Sequence, residues 1–204
     1  MSDQSASALL SLPAELRNAI WTYVLVQPLR QPHALCPNVL RTCKQANFEG
    51  SPILYGENTF EAHTSLLAAL PSCLLLTKPR RITLPPVTHP RVAQMIRRYY
   101  MYVRLDTDPR FSQSQTEESF NGAEELEIEV FQSMYGSCDF SVLKLFEGIR
   151  GVGKAVVHGS VGDGRYAGWL AEVMMSPSGT DAPAFSERYI GGSKAWDAWQ
   201  NGHR

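Results

Sequence analysis

The sequence has no surplus of charge of either sign: 19 Lys and Arg stand against 20 Asp and Glu, a formal net charge of -1. Without a basic excess nothing draws the chain to a polyanion or an anionic membrane, so neither nucleic acid nor a membrane is an expected partner. No apolar run reaches the roughly 20 residues that a membrane-spanning helix needs. Met1 to Ser11 hold an acid and several serines where a secretory signal would carry a basic segment and a long apolar one. Cysteine is scarce: Cys36, Cys43, Cys73 and Cys138 include no Cys-x-x-Cys pair. That spacing argues against a zinc ribbon and against a secreted disulfide framework. The expectation is reduced, mostly buried thiols in a cytoplasmic or nuclear protein. His33, His63, His89, His158 and His203 form no His-x-x-x-His pair. No catalytic residue, metal site or cofactor is therefore expected, and a Cys–His pair could be assembled only by the fold.

Of the 204 residues, 44 % are hydrophobic and 19 % charged, enough apolar surface for most of the chain to fold. Leu12, Leu16, Ile20, Tyr23 and Val24 recur at three- and four-residue steps, which predicts a helix over about residues 13 to 26 with these side chains on one face. Pro13 and Glu15 suit its first turn. A proline-rich gap follows, then Asn38 as N-cap of a second helix whose face carries Val39, Leu40, Cys43, Ala46 and Gly50. Pro52 should kink or interrupt that helix, and Gly56 should supply a left-handed cap. A third helix is expected over 64 to 70, ended by Pro71.

From residue 80 the period changes. Strands are expected at 81–84, 99–105, 126–131 and 155–161, and helices at 140–146 and 165–175, with a polar loop over 106–121. Met101, Val103 and Leu105 alternate with Tyr100, Tyr102 and Arg104; Leu126, Ile128 and Val130 alternate with Glu127 and Glu129. Each of these strands should have one face on a core and one in water. The fold class is α+β or α/β: a small sheet with packed helices, its strand–helix units resembling degenerate leucine-rich turns. The organisation expected is a flexible lead over 1–11, a helical module over 12–70, an α/β region over 71–175 and a flexible tail over 176–204.

Three stretches look functional and have plainer explanations. Gly148 to Ala155 has the glycine and lysine spacing of a phosphate-binding loop, but Ala155 stands where a hydroxyl should hold magnesium, and a strand follows where a helix is required. Lys78, Arg80, Arg81, Arg97 and Arg98 lie near Tyr99, Tyr100 and Tyr102, a mixture that a charge-guarded strand edge explains as well as a nucleic-acid surface does. Glu127 and Glu129 belong to the wet face of a strand. Leu12, Leu16 and Ile20 have two readings of equal weight, core packing on the second helix or contact with a partner.

The order Leu12-Pro13-x-Glu15-Leu16-Arg17-x-x-Ile20-Trp21, then Leu40-x-x-Cys43-Lys44-Gln45, then Leu54-Tyr55-Gly56-x-Asn58-x-Phe60 resembles the fungal F-box-like proteins over about the first quarter of the chain. The resemblance implies an F-box-like helical module that docks on a Skp-family adaptor of a cullin ubiquitin ligase, while the downstream region holds a protein client. On the matching positions it points to Leu12, Pro13, Leu16 and Ile20 of the first helix, and Leu40 and Cys43 of the second, as partner-binding residues. The function implied is that of a noncatalytic interaction adaptor. The alternative is an F-box-like scaffold with no ubiquitin-ligase partner.

Overall fold

The structure is a computed structural model and describes residues 7–27, 35–62, 90–106, 109, 111–132 and 141–185. The helix expected over 64–70, the strand at 81–84, Cys73, Cys138 and both tail tryptophans, Trp196 and Trp199, lie outside the described residues. The chain divides into two units. One gathers the residues up to Thr59 with Pro90–Arg97, and the other runs from Phe60 with everything from Arg98 on.

The first unit is helical. Helix α1 spans Ala14–Leu25, a 3₁₀ helix spans Pro37–Arg41, and α2 spans Lys44–Glu57; the short α3, Pro90–Ala93, returns to this unit. The single second helix expected from Asn38 is thus two pieces. Cys43 separates them in extended backbone and is itself the N-cap of α2, its Sγ accepting the Ala46 N–H at 3.4 Å. Pro52 does not end α2, which continues to Glu57. Pro52 is on the exposed side, where the carbonyl that it leaves without an amide donor can turn to water. Gly56 is not a left-handed cap either. Asn58 closes the helix, its Oδ1 accepting the Gln27 N–H at 2.8 Å and its Nδ2 donating to the Leu25 and Leu54 carbonyls, each at 2.7 Å. One buried amide thereby ties the end of α1 to the end of α2.

The core of this unit is Trp21, Leu25, Leu40, Ala46 and Leu54. The helices meet closely because Gly50 has no side chain: a Cβ there would stand 2.4 Å from Leu40 Cδ2 and 2.9 Å from Leu25 Cδ1. The periodicity of α1 is as expected, and its stripe is not the face that packs on α2. Trp21 and Leu25 point inward, whereas Leu16 and Tyr23 point out.

The second unit is a four-stranded sheet in the order β1-β2-β3-β4. Strand β1 covers Thr59–Glu61, β2 Arg98–Arg104, β3 Glu125–Phe131 and β4 Lys154–Gly159. Pairs β2–β3 and β3–β4 are parallel. Helix α4 (Gln113–Phe120) lies between β2 and β3, α5 (Ser141–Lys144) between β3 and β4, and α6 (Arg165–Met175) after β4. Each strand is laid beside its predecessor, and crossovers of one hand made repeatedly in one direction bring the described helices of this unit to the same side. One core results, joining Met101, Val103, Leu126, Ile128 and Val130 to Phe120, Phe146 and Leu170.

Helix α4 corrects the polar loop expected over 106–121. Ser112 caps it, accepting the Gln115 N–H while the Gln115 side chain accepts the Ser112 N–H, and Thr116 and Phe120 are buried. Past α6, the stretch expected to be flexible begins with packed residues, since the Phe185 ring lies 5.1 Å from that of Tyr166 and 5.4 Å from that of Trp169.

Candidate functional site

Two surfaces carry the candidate residues. In the helical unit, the glutamate Glu49 of α2 organises α1. Arg17 donates to it from Nε at 2.9 Å and Nη2 at 2.7 Å, Trp21 Nε1 donates at 3.0 Å, and Gln45 Nε2 at 3.0 Å. Hydrogen bonds from Arg17, then Trp21 and Gln45, hold the Glu49 carboxyl down at about 2, because every one of them favours the ionised form. Arg17 also donates from Nη1 to the Leu12 carbonyl, fixing the approach to the helix.

This clamp sets the rotation of α1. With Arg17, Trp21 and Leu25 turned to α2, the opposite side of the helix presents Leu16, Ile20 and Tyr23 at steps of four and three. Leu16 is 53 % exposed and Tyr23 82 %, against 1 % for Trp21. Pro13 is exposed and Leu12 and Ile20 half-buried. The residues assigned to the second helix fare differently: Leu40 is 7 % exposed and belongs to the core, and Cys43 is a half-buried cap. Cys36, expected to be buried, is exposed.

In the sheet unit, the side away from the unit's described helices exposes Tyr102, Phe131 and Val156. The register sets Tyr100 beside Glu127, Tyr102 beside Glu129 and Arg104 beside Phe131 on β2 and β3, and Glu127 beside Val156 and Glu129 beside His158 on β3 and β4. The Tyr100 hydroxyl donates to Glu129, and His158 Nε2 is 2.9 Å from Glu127 Oε1. The rings of Tyr102 and Phe131 stack at 5.8 Å, and the Arg104 guanidinium lies over the Phe131 ring at 5.9 Å. Tyr100 is pushed up to about 12, chiefly by its bond to Glu129, then by burial and by the fields of Glu129, Glu127 and Glu61. Negative potential therefore converges on the middle of this face.

The strand alternation placed Glu127, Glu129, Tyr100 and Tyr102 in water, as observed, but alternation alone says nothing of cross-strand neighbours. The stacking of Tyr102 on Phe131 and the role of Glu49 went unread for that reason. Arg98 carries no free basic patch: it bridges Glu124 at 2.9 Å. Among the described residues no group of three His, Cys, Asp or Glu side chains stands close enough to hold a metal ion, and no helix is long and apolar enough to cross a membrane. Compared with protein-family models, curated proteins and solved structures, the chain matches none.

Proposed function

We propose that the protein is a noncatalytic adaptor, an F-box-like helical module joined to a leucine-rich-like sheet unit. The outward stripe of α1 docks in an apolar groove of a Skp-family subunit of a cullin ubiquitin ligase, and the sheet unit holds a protein client. The observation that carries this reading is the exposure of Leu16 and Tyr23 on the side of α1 turned away from its own core. An amphipathic helix laid into a groove is a common mode of recognition, read at steps of three and four residues. Arg17, Trp21 and Glu49 support the docking indirectly, by fixing which residues face outward. Leu40 and Cys43 act in the same supporting way, as core and cap.

The test is co-expression with a Skp-family adaptor followed by copurification. Wild type is expected to copurify, and Leu16→Asp to lose the partner while keeping its circular dichroism and melting temperature, because an exposed side chain is exchanged. A folded wild type that brings down no adaptor, or a Leu16→Asp variant that still does, would overturn the reading for that adaptor.

A further inference from the structure

A parallel sheet ordinarily has helices on both faces, because crossovers cover them. Here every described helix that joins the sheet core does so from one side, and the other face exposes Tyr102 at 37 %, Phe131 at 40 % and Val156 at 39 %. Beside this apolar strip stand Glu127 and Glu129. Among the described residues, Glu127 meets the ring of His158 and Glu129 takes the phenolic hydrogen bond of Tyr100, and neither is bridged by a Lys or Arg. These two carboxylates follow one another on one side of a strand, about 7 Å apart. That spacing forms a row, in keeping with the absence of a metal-holding group among the described residues. It equals the interval between alternate side chains of an extended peptide. The aromatic end of the face already accepts a cation, since the Arg104 guanidinium sits over Phe131.

From charge complementarity and this spacing we infer that the open face of the sheet is a docking surface for an extended segment of a partner protein with Arg or Lys at alternate positions. Its cations pair with Glu127 and Glu129, and the stems and apolar neighbours cover Tyr102, Phe131 and Val156. The inference goes beyond the adaptor reading by giving the client a chemistry, and it stands on residues that α1 does not supply.

The probe is a fluorescein-labelled peptide of alternating Arg and Leu, titrated against the full chain by fluorescence anisotropy, with a Glu and Leu peptide as the charge-reversed control. The Arg peptide is expected to bind and the Glu peptide not to. In Glu127→Gln with Glu129→Gln, affinity should fall about tenfold, and it should fall further as salt rises. Phe131→Ser, which leaves the carboxylates in place, should weaken binding about fivefold. Circular dichroism confirms that both variants are folded. Leu16→Asp should bind the peptide like wild type, so a failed Skp-family interaction and a failed sheet interaction are told apart. No binding of the Arg peptide, equal binding of the Glu peptide, or an unchanged affinity in either sheet variant overturns the inference.

Discussion

Glu49 shows how much one side chain can decide. It receives the guanidinium of Arg17, the indole of Trp21 and the amide of Gln45, so its folded-state pKa of about 2 lies below the ordinary 4.5. A carboxylate depressed in this way contributes stability that is complete above its unfolded value and drains away as pH falls toward the folded one. The melting temperature of wild type should therefore drop between pH 4.5 and about 2, and Glu49→Gln should flatten that drop while starting lower at pH 7. Thermal melts of both proteins across this range check it; parallel curves would deny Glu49 the role. The Arg17 and Trp21 that form the clamp lie inside the motif that resembles an F-box, and their side chains serve the core. Sequence alone gave no sign of this, because Glu49 is 28 residues from Trp21 and the link exists only once the helices pair.

At the level of elements, the strands were the most legible part of the chain. Alternation in β2 and β3 is a strict period of two, and one face of each is buried, so their existence and facing could be read directly. Helix α1 was legible in extent but not in rotation: two overlapping apolar stripes run along it, and only the charged anchor selects Trp21 and Leu25 for the core. Helix α4 was missed because its composition is polar, though Ser112 and Gln115 have the reciprocal spacing of a capping box. That box makes a prediction. Ser112→Ala should cost about 1 kcal/mol, seen as a lower melting temperature, whereas Glu118→Ala on the exposed side of the same helix should leave stability nearly unchanged.

Across the whole molecule, the sheet unit is assembled from neighbours, each strand–helix step resting on the one before. Gly159 closes the last of these steps. Its φ is +100°, and a Cβ there would fall 2.2 Å from the Val130 carbonyl oxygen, so Gly159→Ala should destabilise by about 2 kcal/mol or more. The loss should be local. Hydrogen exchange is expected to quicken in β4 and α6 while β2 keeps its protection, and uniform quickening across the sheet would contradict the stepwise picture. No pattern in the sequence marks Gly159 out among the 15 glycines; its need arises from a close approach between two backbones.

The one-directional order of the strands also has a consequence for how such a protein could diversify. In a sheet that winds both ways from its centre, inserting a strand moves the crevice where a ligand sits. Here a strand and helix inserted between β3 and β4 would lengthen the open face by one rung and leave the rungs on either side intact. The number of rungs, and with it the length of partner segment that the face can span, is a quantity that insertion or deletion can tune separately from the helical unit.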